Sequence, residues 1–270
     1  MIVKRVLFIS QGIEPYLEES HETKIGKHLP LSIQEKGVET RVFMPKYGLI
    51  NERKRRLHEV IRLSGQNIVI GRNEQPLVIR VSSISELHMH TYFIANDHYF
   101  GRKYFLTDEE GKYFSDNDER AIFYARGVLE TVKNLNWCPD IVHCHGWISC
   151  LVPVFLKKFY ADNPFFANSK VVYSVYSDHS SKSVSRNFVN KLNKSGIPLE
   201  DAELYTKVNY EDTLKLAINY SDGVVISHKE VSKPIREYIK KLGKPYFKHK
   251  ENKYGDSYIT LYNNVLVANL

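Results

Sequence analysis

The chain has 270 residues, of which 43% are hydrophobic and 12% aromatic, and it carries a formal charge of +7. This length suits one large domain or two small ones, and the composition excludes a disordered chain. The apolar run at residues 1–9 is too short for a signal peptide or a membrane span. Three cysteines without a pairing pattern fit a reducing compartment, so we expect a cytoplasmic protein with no membrane contact.

The basic residues are densest at residues 53–56, which read RKRR, and at residues 244–253. Neither cluster belongs to a recognisable nucleic-acid-binding motif, and elsewhere the basic residues alternate with acids. A solvated basic surface is the simpler interpretation, and a nucleic-acid partner is the remotest alternative.

Apolar runs at residues 4–10 and 39–44 predict two parallel strands joined by a helix over about 21–36. Pro30 predicts a kink in that helix, and Gly37 a C-terminal stop. Four further runs predict antiparallel hairpins, at residues 59–63, 67–70, 77–81 and 89–94. A long helix is predicted over about 116–135, with Ser115 and Asp118 forming a capping box.

The second half of the chain continues the alternation of strands and helices. Strands are predicted at residues 140–144, 170–176 and 222–227, and helices at 151–160, 213–220 and 231–242. The tail contains one possible strand, at 258–262. The pattern predicts a single α/β domain over residues 1–270 with a Rossmann-like, doubly wound, mainly parallel sheet and a hairpin insertion at about 57–95.

The stretch at residues 139–153, PDIVHCHGWISCLVP, reads as strand, tight turn and helix. Such a turn lies at the carboxyl end of a strand, where open α/β sheets bind ligands. His143 and His145 fall on one side of the strand, and the indole of Trp147 is suited to the C–H face of a hexose. The alternative is that these histidines are satisfied core residues.

Cys138, Cys144 and Cys150 are spaced six residues apart. The stretch has neither a C-x-x-C nor an H-x-x-x-H pattern, so we expect no metal site and no cofactor. The loop after the first strand is equally unsuited to an anion. It has one glycine followed by three acids, Glu18, Glu19 and Glu22, which would repel a phosphate.

Five segments together resemble the N-terminal domain of the bacterial glycogen and starch synthases. They are the first-strand loop to Pro30, RVFMPKYG at 41–48, YFSDNDERAIFYARGVLE at 113–130, PDIVHCHGW at 139–147 and YSDGVVISHKEVSKPI at 220–235. The family consists of retaining, ADP-glucose-dependent glucosyltransferases with two Rossmann-like domains (the GT-B arrangement). The resemblance covers roughly residues 2–240. It implies that the chain stops before the C-terminal domain, which carries most of the ADP-glucose site and the catalytic glutamate.

The resemblance also exposes departures in the donor loop. The position of the family's phosphate-binding lysine is Glu18, and its two glycines are Ser20 and His21. The family's aspartate position is Lys24, and the earlier glutamate position is Gly12. A cation that would neutralise a diphosphate is therefore replaced by an anion.

The acceptor side is also altered. In the family an Asp-Trp-His run follows the strand; only the tryptophan is kept here, between Gly146 and Ile148. Tyr176 stands where the family has a histidine that holds the donor glucose. The resemblance leaves no catalytic residue. It implies four candidate glucan-binding residues: Asn117, His145, Trp147 and Tyr176.

The sequence thus predicts a glycogen synthase-like protein that is a non-catalytic half binding an α-glucan, a maltooligosaccharide or a partner chain. That partner would be a full-length synthase or a chain resembling the missing C-terminal domain. The alternative is half of a split glucosyltransferase, completed by another chain.

Overall fold

The computed structural model describes residues 2–84, 89–177, 184–185, 187–197, 208–251 and 253–268. The chain opens with strand β1 (Arg5–Ser10), helix α1 (His21–Glu35) and strand β2 (Glu39–Pro45). β1 and β2 are parallel, from Arg5 opposite Glu39 to Ile9 opposite Phe43. Gly37 follows α1 with φ +81°, a conformation that suits glycine. The predicted β-α-β unit is confirmed.

The next segment comprises β3 (His58–Glu59), a 3₁₀ turn (Ile61–Leu63), β4 (Gln66–Ile70), β5 (Asn73–Ile84) and β6 (Met89–Ala95). β3 and β4 pair antiparallel with β5. β6 also pairs antiparallel with β5, but its other edge runs parallel to β2. β6 is therefore also a strand of the main sheet, and it joins the antiparallel strands to β2.

Helix α2 (Asp97–Phe100) precedes the long helix α3 (Asn117–Asn134), which confirms the predicted helix. The predicted capping box is wrong. The residue before the helix is Asp116, and its side chain makes no capping bond. The Asp118 carboxylate is instead fully buried and lies 2.8 Å from Lys191 Nζ. An ion pair with a distant helix has replaced the local cap.

The second half contains three strands and several helices. They are β7 (Ile141–His145), a 3₁₀ turn (Trp147–Ser149), α4 (Val152–Val154) continuing into a π turn (Phe155–Phe159), β8 (Lys170–Val175), α5 (Phe188–Lys194), α6 (Tyr210–Asn219), β9 (Gly223–Ile226) and α7 (Lys233–Lys241). The predicted loop at 177–185 and the segment 186–208 fall largely outside the described residues.

The tail departs from prediction. It forms a short strand, β10 (Tyr246–Lys248), and a helix, α8 (Asp256–Val267), where a strand was predicted at 258–262. The helix places its buried residues at helical spacing, namely Tyr258, Leu261, Tyr262, Val265 and Leu266. They pack on β8, β9 and β10. Burial of this face stabilises the helix in place of a strand.

The sheet order is β10-β9-β8-β7-β1-β2-β6-β5-β3, with β4 paired to β5. The strands from β10 to β6 are parallel. From β1 the chain builds the sheet in one direction, and from β7 in the other. The carboxyl ends of β1 and β7 therefore flank the topological switch point, where such folds bind ligands. No helix in the described part of the chain is long and apolar enough to cross a membrane.

Candidate functional site

The turns after β1 and β7 are joined at the switch point. Gln11 N–H donates to the His145 carbonyl (3.0 Å), and Ile148 N–H donates to Gln11 Oε1 (3.1 Å). Gly146 has φ +79°, and a Cβ there would overlap Glu22 Oε1 and lie 2.7 Å from Gln11 Cβ. Glycine thus lets the first turn of α1 approach the end of β7 closely.

This contact gives a testable prediction. We expect Gly146→Ala to lower the free energy of unfolding by roughly 2–5 kcal/mol, from backbone strain and overpacking. Gly37→Ala is the matched control. Its φ is also positive, but nothing lies within 4 Å of its Cβ position, so we expect a loss of about 1 kcal/mol. Urea unfolding measures both, and equal losses would contradict the close approach.

A group of imidazole and phenol rings fills the crevice, which we call the histidine–tyrosine cluster. It consists of His21, His143, His145, Tyr176, His228, His249 and Tyr258. Ring centroids are 4.0 Å apart for His143 and His145, and 6.3 Å for His145 and Tyr176. His21 lies 6.4 Å from Tyr176 and 5.7 Å from His249. The rings of His249 and Tyr258 are 5.9 Å apart, and those of Tyr258 and His143 are 5.8 Å apart. These contacts complete a closed loop of neighbouring rings.

Hydrogen bonds orient these rings. His145 Nδ1 shares a hydrogen bond with the Tyr176 hydroxyl (3.0 Å), and His249 Nδ1 with the Tyr258 hydroxyl (3.0 Å). His143 is bonded on both nitrogens, to the Tyr262 hydroxyl (2.6 Å) and to Ser174 Oγ (2.8 Å). The Nε2 atoms of His145 and His249 are buried and have no hydrogen-bond partner among the described residues.

Burial keeps three imidazoles of the cluster uncharged. It lowers the pKa of His143 well below the usual value, with a smaller effect from His145. Burial, assisted by His249, lowers the pKa of His145 to about 3. The pKa of His249 falls to about 4, from burial and then from His21. These three imidazoles are therefore neutral at pH 7 and can exchange hydrogen bonds but supply no positive charge to an anion.

The first turn of α1 is closed by its own residues. Ser20 caps the helix, because its Oγ accepts from Thr23 N–H (3.1 Å) and its N–H donates to Thr23 Oγ1 (2.8 Å). His21 Nε2–H donates to the Ser227 carbonyl (2.6 Å), which links α1 to the end of β9. Lys24 pairs with Glu19. The helix N-terminus is thus occupied by side chains.

Two other donor-loop positions complete the picture. Glu18 is exposed, and its carbonyl accepts a hydrogen bond from Thr23 Oγ1 (3.0 Å). Gly12 is buried, and a Cβ there would lie 2.7 Å from Leu17 Cδ1. The family's glutamate could not replace Gly12 without displacing Leu17.

Two of the candidate glucan-binding residues are internal. Trp147 is fully buried, its Nε1–H donates to Thr213 Oγ1 (2.6 Å), and its ring lies 4.4 Å from that of Tyr210. Asn117 is also fully buried and donates to the Leu106 carbonyl (2.8 Å) and the Tyr210 hydroxyl (2.7 Å). The expectation that Trp147 offers an open face to a sugar is wrong, because the 3₁₀ turn directs the indole against α6.

The other two candidates, His145 and Tyr176, do meet, as members of the histidine–tyrosine cluster. The sequence did not identify His228, His249 and Tyr258 as members. His228 follows β9, and its ring lies 5.1 Å from that of His21. His249 and Tyr258 belong to the tail. The spacing of residues 258, 261, 262, 265 and 266 was the available signal for α8 and its tyrosines. Among the described residues, no group of three histidine, cysteine or acidic side chains is placed to hold a metal ion.

Comparison with known proteins gives the family. The model of the starch synthase catalytic domain matches residues 5–244. The chain belongs to this family. It is 34% identical over 235 residues to a glycogen synthase of Chlorobium phaeobacteroides, covering 84% of this chain and 48% of the relative. It is 39% identical over 173 residues to that of Chlorobium limicola, covering 64% and 35%.

This starch synthase family member therefore spans about half the length of the first of these relatives and about a third of the second. A solved structure agrees with the fold: the catalytic domain of starch synthase IV from Arabidopsis thaliana, bound to ADP and acarbose, has a TM-score of 0.70. The match covers 92% of this chain and 51% of that one, at 17% identity. The GT-B half-fold expected from the sequence is confirmed.

Proposed function

We propose that this family member acts in glucan metabolism as a non-catalytic half, which binds an α-glucan or a partner chain and does not take ADP-glucose alone. The observation that carries the proposal is His21. It stands at a position of a family glycine, and its imidazole spans from α1 to the Ser227 carbonyl. The space through which a backbone would approach a diphosphate holds a side chain instead.

Charge supports the same conclusion. Glu18, Glu19 and Glu22 lie at or next to the first turn of α1, and Lys24 in this turn is paired with Glu19. A diphosphate about 4–8 Å from the exposed Glu18 carboxylate would be destabilised by roughly 1–4 kcal/mol for each pair of charges. The neutral imidazoles of His143, His145 and His249 do not offset this repulsion.

Whether the ligand is an α-glucan or a partner chain depends on how accessible the histidine–tyrosine cluster is. His145 and Tyr176 are 1% and 4% exposed, so a sugar would contact them only where the crevice opens. Hydroxyl groups match the free Nε2 atoms of His145 and His249 better than anions do. A split enzyme, the alternative, is favoured by the fold alone.

The test combines a transfer assay with parallel calorimetric titrations of ADP-glucose and maltoheptaose. We expect no incorporation of labelled glucose into glycogen above a boiled control, in protein free of full-length synthase. Saturable binding of maltoheptaose would assign the glucan role, and its absence the partner role. Incorporation well above the control would contradict the proposal.

A further inference from the structure

The outer edge of β10 is open. On its inner side, Val224 N–H donates to the Pro245 carbonyl (3.0 Å) and His249 N–H donates to the Ile226 carbonyl (2.9 Å). Hydrogen bonds of a parallel pair alternate along the strand, so the peptide groups of Tyr246 and Lys248 face away from β9. Neither residue makes a backbone hydrogen bond to another part of the described chain, and both side chains are exposed.

A groove runs beside this edge, between β10 and α8. It has a volume of ≈ 460 Å³ and is lined by Tyr246, Phe247, Thr260, Leu261 and Asn264, among others. Phe247 packs edge-to-face on Tyr258 with centroids 4.9 Å apart, and Leu261 is buried, so the floor is fixed. Thr260 and Asn264 are exposed, one turn apart on the helical wall. The groove has ample room for an apolar side chain.

The surroundings are cationic. Residues 240–256 contain six lysines but only two acids, Glu251 and Asp256. Asp256 pairs with Lys36, and Lys244 donates to carbonyls at the end of α6, including Ile218 (3.1 Å). The other five lysines form no ion pair with any described residue. The edge and the groove therefore lie in a positive field that acidic side chains complement.

We propose that the outer edge of β10 and this groove bind an extended acidic segment of a partner protein. The segment pairs with β10 as an added strand, places an apolar side chain in the groove and directs acids towards the lysines. This rests on the proposed function, for which it names the kind of partner. Alternating N–H and C=O groups complement another peptide backbone, whereas the carbonyls would repel the phosphates of a nucleic acid.

The probe is the peptide acetyl-EEVIVEE-amide. Its binding to the full chain is measured by calorimetry. We expect saturable one-to-one binding with a Kd below about 100 μM at low salt, weakened at least ~5-fold when NaCl rises from about 50 to about 300 mM. The same peptide N-methylated at alternate amides keeps every charge but cannot pair as a strand. Its affinity is expected to fall at least ~10-fold.

Two variants locate the site. Thr260→Trp fills the groove from an exposed position and is expected to weaken binding at least ~10-fold, whereas Val267→Trp, on the same helix outside the groove, leaves it unchanged. Lys248→Pro removes an outward N–H while sparing the bonds to β9, and it should weaken binding to a similar degree. The N-methylated peptide keeps the test decisive if Lys248→Pro does not fold.

Three results would overturn the inference: no saturable binding of the acidic peptide, equal binding of its N-methylated form, or equal binding by Thr260→Trp. Displacement of the peptide by a single-stranded oligonucleotide would reassign the surface to nucleic acid. The ADP-glucose and maltoheptaose titrations report on the switch point. Their outcome therefore tests the proposed function separately from the peptide result.

Discussion

Ending the chain at Lys253, and so removing α8, is expected to leave the remainder unfolded at 25 °C. The helix buries five large side chains against β8, β9 and β10. At roughly 1.5–3 kcal/mol each, their loss amounts to roughly 8–15 kcal/mol. That equals the whole stability of a typical domain, about 5–15 kcal/mol. Circular dichroism with a urea titration measures the outcome.

Two substitutions on α8 provide the matched control. Val265 is 1% exposed and Val267 is 45% exposed. We expect Val265→Ala to cost about 1–3 kcal/mol and Val267→Ala less than about 0.5 kcal/mol. A shortened chain that unfolds cooperatively at the full chain's urea midpoint would show that the tail is not part of the folded unit.

Lowering the pH from 7 to 5 is expected to cost the chain roughly 2 kcal/mol of unfolding free energy through His145, and His143 adds a loss of the same sign. Both are buried, and their folded-state pKa values lie well below the ordinary value of about 6.5. The unfolded chain therefore binds protons at a pH where the folded chain does not. The stability is complete above about pH 6.5 and is lost as the pH falls towards about 3, with His145 contributing about 2 kcal/mol by pH 5.

Other groups also contribute. His249, with a pKa of about 4 but only half-buried, adds a smaller loss of the same sign. Burial raises the pKa of Asp118, so its effect on the slope opposes that of the two histidines. The pKa values of Glu52, Asp116 and Glu130 are lowered by their hydrogen-bonded and ion-paired partners against an opposing burial effect. Because their stabilisation is lost only as the pH falls below their ordinary values, these carboxylates add little above about pH 5.

The measurement is the slope of unfolding free energy against pH between about 5.2 and 6.5. Two buried neutral histidines give a slope of up to about 2.7 kcal/mol per pH unit. His145→Gln should lower that slope by about half, while His58→Gln, at an exposed position in β3, should leave it unchanged. A slope unaffected by His145→Gln would show that this imidazole titrates alike in the folded and unfolded chain, and so is not held neutral by burial.

Much of the fold could be predicted because its signals are local. Apolar runs flanked by turns located β1, β2, β7, β8 and β9, and the spacing of apolar residues located α1 and α3. The placement of His143 and His145 on one side of β7 followed from strand alternation, and their rings are 4.0 Å apart.

The errors arose where distant contacts decide the structure. Trp147 points inward because its Nε1–H donates to Thr213 Oγ1 and its ring packs on that of Tyr210. Both partners lie more than sixty residues away in sequence. The Asp118 carboxylate does not cap α3 as predicted but forms an ion pair with Lys191, which belongs to another helix. The tail forms a helix because its apolar face is covered by three strands. No local window of sequence contains these partners.

The absence of a donor site is tested most directly by titrating ADP-glucose into three proteins: the unmodified chain, Glu18→Lys, and Glu18→Lys/Ser20→Gly/His21→Gly. Reversing the charge at Glu18 supplies at most about 4 kcal/mol, whereas micromolar affinity requires about 8 kcal/mol. We therefore expect no binding tighter than about 1 mM by the unmodified chain or by Glu18→Lys, because His21 still closes the crevice. Micromolar binding by either of these two proteins would contradict the account.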